Sequence, residues 1–269
     1  MSGLPEMRHS GGSAFEAWVA ALEARHLANL TFPEVSRALR ALSATYVERR
    51  RRIETGVALA GTGKRAAFAL FYGPLHFLLV REIVRALPGA TARRGSTGST
   101  HAIGTLVDLG CGTGAAGAAW ASLHAPTLHV VGIDRHPWAV KEAAATYRAF
   151  GLSARTLMGD VARADLPSRR TAILAAFVLN ELPDAARERL LARLVERGEK
   201  GDPILIVEPL ARSVAPWWRA WQSTIEMSGG RADEWRVRPG LPEITMKLDR
   251  AAGLNHRELT GRSLWIPGT

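Results

Sequence analysis

The stretch Leu106–Gly114 constrains the fold of this 269-residue chain more than any other part of its sequence. It reads Leu-Val-Asp-Leu-Gly-Cys-Gly-Thr-Gly, so that apolar residues suited to a short buried strand are followed at once by three glycines. The alanine-rich segment Ala115–Ala121 comes next and favours helix. Glycine reaches positive φ and lets a ligand approach the backbone closely. The stretch therefore predicts a strand, a tight turn and a helix N-terminus that cradle a nucleotide-type ligand.

Two acidic residues narrow the chemistry of that ligand. Asp108 stands at the end of the first predicted strand, where it would repel the pyrophosphate of a dinucleotide but suits a ligand with a cationic ammonium or sulfonium group. Asp134 follows the predicted strand Leu128–Ile133, about twenty residues past the glycines, where a carboxylate accepts hydrogen bonds from two ribose hydroxyls. The alternative interpretation of the glycine stretch is a purely structural turn, and that of Asp134 is an aspartate that only forms part of a turn.

The glycine stretch resembles motif I of the class I S-adenosylmethionine-dependent methyltransferases. This resemblance implies that S-adenosylmethionine is the cofactor and S-adenosylhomocysteine the product. It further implies that one set of residues binds the methionine and ribose parts, and these are Asp108, Gly110, Gly112, Gly114 and Asp134. Asp160 with Val161, after a third predicted strand, would contact adenine, although a solvent-facing turn is the alternative for Asp160.

Composition places the chain among ordinary globular proteins, with 47% hydrophobic and 22% charged residues. The single cysteine, Cys111, excludes a disulfide framework and any cysteine-based zinc or iron–sulfur site, and the eight histidines show no ligand spacing, so no metal is expected. The longest apolar run, Ala66–Val80, is interrupted by Gly73-Pro74 and is too short to span a bilayer. We therefore expect a cytoplasmic protein without a membrane partner.

The net charge of +10 has two interpretations. Arginine supplies 31 of the 35 basic residues, four of them in the run Arg49–Arg52, and basic charge favours nucleic acid or anionic surfaces. An arginine-, alanine- and glycine-rich composition is also what a GC-rich genome produces. The run Arg49–Arg52 has two interpretations of its own, a solvated helix end and a patch that contacts phosphate.

The chain divides into four predicted segments. Residues 1–12 form a disordered tail, 13–87 an N-terminal helical domain, 88–102 a linker and 103–269 a class I methyltransferase domain. The helical domain contains predicted helices at Ala14–Asn29, Pro33–Arg52 and Lys64–Leu87, the last interrupted at Gly73-Pro74. Phe71 and Tyr72 lie just before the sheet, and Tyr72 is the aromatic predicted to close over the cofactor.

Strands and helices alternate after the linker, which predicts an α/β protein with a parallel sheet covered on both faces. The expected fold is a Rossmann-like, seven-stranded methyltransferase sheet whose last strand is antiparallel, with an N-terminal helical extension. The chain is predicted to end in a hairpin of His256–Thr260 and Arg262–Ile266, joined at Gly261. The predicted strands before it are Gly104–Leu109, Leu128–Ile133, Ala154–Met158, Thr171–Val178 and Pro203–Val207.

The end of the fourth predicted strand is the candidate catalytic tip. Asn180 and Glu181 directly follow this apolar strand, at the sheet edge where open α/β sheets bind ligands; capping of the next helix is the alternative. A tryptophan-rich segment after the fifth strand contains Trp217, Trp218 and Trp221. It suggests a lid or wall over the cleft, and core packing is the alternative for at least one of these tryptophans. The candidate bases are Glu181, Glu208, His76 and His101.

A narrower resemblance concerns the acceptor. Phe177–Pro183 and Ile206–Pro209 are similar to the methyltransferase-like family associated with small ribosomal subunit assembly, although the cysteine cluster of that family is missing here. This resemblance implies methyl transfer to RNA, in particular rRNA, or to a ribosome-associated target, with the small ribosomal subunit as partner. A small-molecule methyltransferase and a non-catalytic, cofactor-binding assembly factor are the alternatives.

Overall fold

A computed structural model describes residues 10–48, 59–91, 103–124, 127–167, 171–210 and 215–268. The arginine run Arg49–Arg52, His101, most of the predicted tail and most of the predicted linker lie outside these residues. The four segment boundaries stay predictions, although helix already begins at Ser10, inside the predicted tail.

Seven strands of the described residues form one sheet in the order β3-β2-β1-β4-β5-β7-β6. The first five strands are parallel, and β7 is antiparallel to both of its neighbours, which confirms the predicted seven-stranded sheet with an antiparallel last strand. The strands are β1 (Thr105–Leu109), β2 (His129–Asp134), β3 (Ser153–Met158), β4 (Thr171–Ala176), β5 (Ile204–Glu208), β6 (Arg231–Val237) and β7 (Leu259–Ile266).

Helices precede the sheet and alternate with its strands, and the predicted N-terminal helices are present. Successive residues along a strand point to opposite faces, so Leu106 and Leu174 pack on one side of the sheet and Val107 and Ile173 on the other. The helices are α1 (Ser10–His26), α2 (Phe32–Glu48), α3 (Thr62–Ala67), α4 (Gly73–Ala86), α5 (Ala115–Ala121), α6 (Pro137–Ala149), α7 (Asp184–Glu199), α8 (Trp218–Met227) and α9 (Glu243–Ala251).

The predicted terminal hairpin is wrong. Residues 259–266 form one continuous strand through Gly261, and its antiparallel partner β6 lies before α9 in the chain. Gly261 is not a turn residue because α4 packs against the strand there: a Cβ on Gly261 would lie 3.0 Å from Leu79 Cδ2. The glycine serves close helix–sheet contact, a long-range requirement that its local sequence does not reveal.

Helix continues through Gly73-Pro74, where the sequence predicts an interruption. A π-helical turn, Phe68–Tyr72, joins α3 to α4 and accommodates Pro74, which has no N–H to donate to the carbonyl of Leu70. The Thr245 hydroxyl on α9 donates to that carbonyl instead, at 3.1 Å and fully buried. The missing backbone bond is thus replaced by a side chain from a distant helix.

The continuous stretch Thr62–Ala86 is long and apolar enough to cross a membrane by length and composition. Its most apolar window is 72% buried inside the protein. Packing against the sheet and the other N-terminal helices accounts for its apolar character.

The N-terminal helices share one hydrophobic core with the sheet. Trp18 of α1 is buried in the same cluster as Leu106 of β1, and its indole Nε1 donates to Thr146 Oγ1 on α6 at 3.1 Å. Arg25 of α1 also pairs with the buried Glu142 of α6. The helical extension is therefore attached directly to the elements that flank the glycine turn.

Candidate active site

The three glycines after β1 adopt the conformation that the sequence predicts. Gly110, Gly112 and Gly114 have φ values of 68°, 52° and 75°, a region that L-residues rarely enter. A Cβ on Gly110 would lie 2.2 Å from Val178 Cγ2, and one on Gly114 would lie 2.9 Å from the Cα of Ala143. Two glycines are thus required by packing on neighbouring elements. Gly112 is more open and lines the cavity described below.

Asp108 lies beneath the turn rather than in the cavity wall. Its Oδ2 accepts hydrogen bonds from the Tyr147 hydroxyl at 2.8 Å and from the Gly117 amide at 3.1 Å, and the residue is 1% exposed. Burial, with a smaller contribution from the nearby Asp134, raises the pKa of Asp108 to about 7 against these two hydrogen bonds. Asp108 therefore ties β1 to the first turn of α5 and to α6.

Asp134 stands at the end of β2 and faces the glycine turn. Its Oδ2 accepts from the Gly112 amide at 3.0 Å, and its Oδ1 accepts from the His136 amide at 2.8 Å. Each carboxylate oxygen has a second lone pair, so both oxygens can accept one more hydrogen bond. Asp134 and Gly112 both line the cavity, and this arrangement is compatible with the predicted ribose contact.

Asp160 and Val161 lie beside Asp134 but outside the cavity wall. The amide of Gly159 donates to the carbonyl oxygen of Asp134 at 3.0 Å, which places the turn after β3 next to the end of β2. The exposed Asp160 uses its Oδ1 to accept from the Ala162 amide at 3.0 Å, and Val161 is buried. Their adenine contact stays a prediction.

A cavity of about 540 Å³ opens at the carboxyl edge of the sheet. Ligand pockets have volumes of roughly 300–1,000 Å³, so the cavity is large enough for a nucleoside-sized ligand with room beside it. It joins the glycine turn to the ends of β2, β4 and β5, the N-terminal helices and the segment before β7. Of the predicted site residues, its wall includes Tyr72, Gly110, Gly112, Asp134, Asn180 and Glu181.

Aromatic side chains from the N-terminal helices form one wall of the cavity. Phe68, Tyr72 and His76 follow one another at four-residue spacing, with ring centroids 5.7 Å and 6.0 Å apart. Phe68 lies at the glycine turn, since its Cε1 would be 3.8 Å from a Cβ on Gly112. We call these three residues the aromatic stripe. Phe68 and His76 also contact each other, with centroids 6.1 Å apart, so the predicted Tyr72 is one of three rings in mutual contact.

The residue after β4 is strained. Phe177 has a φ of 60°, unusual for a residue with a Cβ and costing on the order of 1–3 kcal/mol. Its amide donates to the Val207 carbonyl at 2.8 Å, and its ring stacks on His76 with centroids 4.0 Å apart. Such strain occurs where the surrounding structure holds a residue in place, often at functional sites.

Glu208 at the end of β5 organises the predicted catalytic tip. This fully buried carboxylate accepts from the Leu179 amide at 3.0 Å and from Asn180 Nδ2 at 2.7 Å. Asn180 Oδ1 in turn accepts from Trp217 Nε1 at 3.0 Å. Both ends of the Asn180 amide are therefore engaged within the protein, which makes it a rigid part of the wall.

The three tryptophans do not form a lid. Trp217, Trp218 and Trp221 are all buried in the core cluster on the other face of the sheet, and none lines the cavity among the described residues. Arg187 lies 5.1 Å from the Trp217 ring centroid, and Arg262 lies 4.2 Å from that of Trp218. The expectation of a wall over the cleft is wrong because the amphipathic α8 buries these rings against the sheet.

Glu181 is the second predicted residue of the tip, in a short 3₁₀ turn, Leu179–Glu181. Its Oε2 lies 3.3 Å from the Arg135 guanidinium, which follows Asp134 in the chain. Burial raises the pKa of Glu181 to about 7, Arg135 opposes this rise and Asp134 adds to it. The carboxyl group therefore changes charge near neutral pH at the cavity wall.

A His–Asp pair at the far end of the cavity was not predicted from the sequence. His256 lines the cavity, and its Nδ1 lies 2.6 Å from Oδ1 of Asp249, whose Oδ2 accepts from the His256 amide at 3.0 Å. Its ring contacts Phe71 edge-on, with centroids 5.1 Å apart. The sequence pattern predicts a strand from His256 onward, and no local signal indicates that His256 pairs with Asp249.

Part of the chain is similar to a known domain family. Residues 106–201 match the sequence profile of the methyltransferase domain family. No curated protein sequence matches the chain significantly.

Two solved structures share the fold over nearly the whole chain. A putative class I S-adenosylmethionine-dependent methyltransferase from Listeria monocytogenes has a TM-score of 0.51 and 12% identity, over 96% of this chain and 89% of that one. The mitomycin 7-O-methyltransferase MmcR has a TM-score of 0.50 and 16% identity, over 97% of this chain and 76% of that one. The fold of this chain is therefore the Rossmann-like fold of class I methyltransferases.

Proposed function

We propose that this protein is an S-adenosylmethionine-dependent methyltransferase. The observation that carries the proposal is the meeting of the open Gly112 turn and the Asp134 carboxylate on one wall of the cavity. The same cavity is lined by Glu181, Glu208 and Glu258 together with Arg135, so acidic side chains outnumber the arginine around the space into which a cationic ligand would enter. A backbone cradle, an acid for the ribose and a negative lining suit this cofactor better than a phosphate-bearing dinucleotide.

The residues of the cavity have separate roles in this proposal. When bound, S-adenosylmethionine supplies a methyl group on a cationic sulfonium sulfur. The glycine turn and Asp134 would hold the nucleoside and methionine parts, and Phe68 and Tyr72 would cover them. The rigid tip around Asn180 would position the acceptor and exclude water, and such positioning lowers the barrier of a displacement reaction.

The cavity favours a small acceptor. Its wall opposite the sheet comes from α4 and the π-helical turn, whose aromatic and aliphatic side chains face the space beside the predicted donor site. A group that reacts there must fit between these helices and the ends of β4 and β5. The fold neighbour MmcR is described as acting on mitomycin, a small molecule, and this similarity is consistent with our proposal.

RNA is the second candidate acceptor. The net charge of +10 favours binding to a polyanion, and the sequence around Asn180 and Glu208 resembles the family linked to small ribosomal subunit assembly. In this case a single unstacked base or a terminal nucleotide would enter the cavity. For this candidate we further propose rRNA as the target, the small ribosomal subunit as the partner and the cytoplasm as the location.

The experiment that tests the function is methyl transfer from radiolabelled S-adenosylmethionine into a cell extract. The reacted extract is separated into RNA, protein and small-molecule fractions. Label in the small-molecule fraction supports the first acceptor class, and label in RNA supports the second. If no fraction is labelled although the cofactor binds tightly, the protein is a non-catalytic cofactor-binding factor and the enzymatic proposal fails.

A further inference from the structure

His76 lies in the cavity wall with its ring nitrogens unpartnered. One face of the imidazole stacks on Phe177, with an interplanar angle of 16°, and Phe68 meets it edge-on at 6.1 Å. Within the described part of the chain, neither ring nitrogen makes a hydrogen bond. His76 is partly exposed and lines the cavity, so its ring nitrogens are free to bond a ligand there.

His76 lies beside the end of β4. Phe68 lies at Gly112, whereas the His76 ring stacks on Phe177, the residue that follows β4. The tip with Asn180 and Glu181 begins three residues after Phe177. His76 therefore borders the space on the acceptor side of the cavity.

The ring is neutral at physiological pH, since burial lowers the pKa of His76 to about 3. A neutral imidazole presents one N–H donor and one nitrogen lone pair. It can accept a hydrogen bond from an N–H or O–H group without the cost of placing a charge in an aromatic environment. The neighbouring Phe177 and Tyr72 rings suit a planar apolar body attached to that group.

We propose that His76 contacts the methyl acceptor directly, through a hydrogen bond to an N–H or O–H group carried by a planar, largely apolar ring. This inference rests on the proposed methyltransferase function and names the chemistry that its acceptor site recognises. The ring can belong to a free small molecule or to an unstacked base, since both present the same surface and the same polar hydrogen.

The test compares two substitutions that separate ring stacking from hydrogen bonding. His76→Phe keeps a ring that can stack on Phe177 but removes both nitrogens, whereas His76→Asn keeps a hydrogen-bonding group. His129→Phe is the matched control, because His129 bonds to Ser153 on β3 and does not line the cavity. Each variant is assayed with radiolabelled S-adenosylmethionine and the extract fraction that wild-type protein labels, and its affinity for S-adenosylhomocysteine is measured by calorimetry.

We expect His76→Phe to lower methylation efficiency about 10- to 100-fold, the loss that an unmet hydrogen bond causes, while the affinity for S-adenosylhomocysteine stays within twofold of wild type. His76→Asn should recover part of the loss, and His129→Phe should behave as wild type. Retained cofactor affinity also shows that the variants are folded.

Wild-type efficiency in His76→Phe would overturn the inference while leaving the methyltransferase function intact. A wild-type protein that binds no S-adenosylhomocysteine would overturn the proposed function and this inference with it. The labelled fraction, RNA or small molecule, identifies the source of the ring.

Discussion

At the scale of single residues, the glycine turn combines two kinds of constraint. Gly110 and Gly114 are required because any side chain would collide with Val178 or Ala143, whereas Gly112 leaves its space open. The acids differ in the same way: Asp108 is buried beneath the turn, and Asp134 faces the cavity. The motif thus holds β1, α5 and α6 together and presents only part of itself to a ligand.

The buried Asp108 makes folding stability depend on pH. Folded Asp108 keeps its proton up to about pH 7, whereas the unfolded chain releases it near the ordinary value of 3.8. The folded state therefore binds more protons in this interval, and the free energy of unfolding should fall as pH rises from about 4 to about 7.

Asp108→Asn should remove this loss, on the order of a few kcal/mol, since asparagine can accept the same hydrogen bonds without ionising. Urea unfolding at a series of pH values measures the slope of the free energy of unfolding against pH. The exposed Asp165→Asn is the control. The account of Asp108 fails if both variants retain the wild-type slope.

Glu181 should make cofactor binding depend on pH in the opposite sense. As pH rises through about 7, Glu181 becomes anionic beside the cavity and attracts a cation more strongly. The affinity for the cationic S-adenosylmethionine should increase roughly tenfold between pH 6 and pH 8, and that for the neutral sulfur of S-adenosylhomocysteine should increase less.

Calorimetric titration of both ligands with wild type and Glu181→Gln checks this prediction, with the exposed Glu199→Gln as control. The glutamine variant should lose the difference between the two ligands. An unchanged pH dependence in Glu181→Gln would show that another group causes it.

At the scale of elements, the chain shows which features its sequence could predict. The alternation of apolar strands and amphipathic helices is local, and so are the turn glycines and the acid after β2; these predictions needed no long-range information. The tryptophans of α8, the strand β6 and the His256–Asp249 pair depend on contacts between distant segments. Gly261 is the clearest case, because glycine signals a turn unless one knows that α4 packs against it.

The joint between α3 and α4 depends on one such distant contact. Thr245 supplies a donor that Pro74 cannot, so removing its hydroxyl takes a buried hydrogen bond from the Leu70 carbonyl. Thr245→Val, which nearly preserves the shape, should lower the free energy of unfolding by about 1–3 kcal/mol.

Chemical denaturation measures this loss. The control is Thr224→Val, since the Thr224 hydroxyl bonds only to the Ala220 carbonyl of its own helix, at 3.1 Å on the surface. Equal effects of the two substitutions would contradict the role assigned to Thr245.

At the scale of the whole molecule, the N-terminal helices and the sheet share one buried cluster that contains Trp18, Phe71 and Leu106. The boundary at residues 88–102 therefore does not correspond to a gap in the core, and we expect the chain to unfold in one cooperative transition. Trp18→Ala should lower the free energy of unfolding by about 3–5 kcal/mol and shift the transition of the entire protein.

Far-ultraviolet circular dichroism and tryptophan fluorescence, followed together during denaturation, test this expectation. Coincident curves that shift together in the variant support a single unit. Two separate transitions, of which only one moves in Trp18→Ala, would show that the helical part folds independently.

The central claim, that this cavity binds S-adenosylmethionine, is tested most directly by calorimetric titration of the wild-type protein and of Asp134→Ala with S-adenosylhomocysteine. We predict a single site in the wild type and a loss of at least about tenfold in affinity in the variant, because the ribose loses its carboxylate acceptor and Gly112 loses a bond that orients the turn. Circular dichroism confirms that the variant is folded. No binding by the wild type, or equal affinity in the two proteins, would contradict the account.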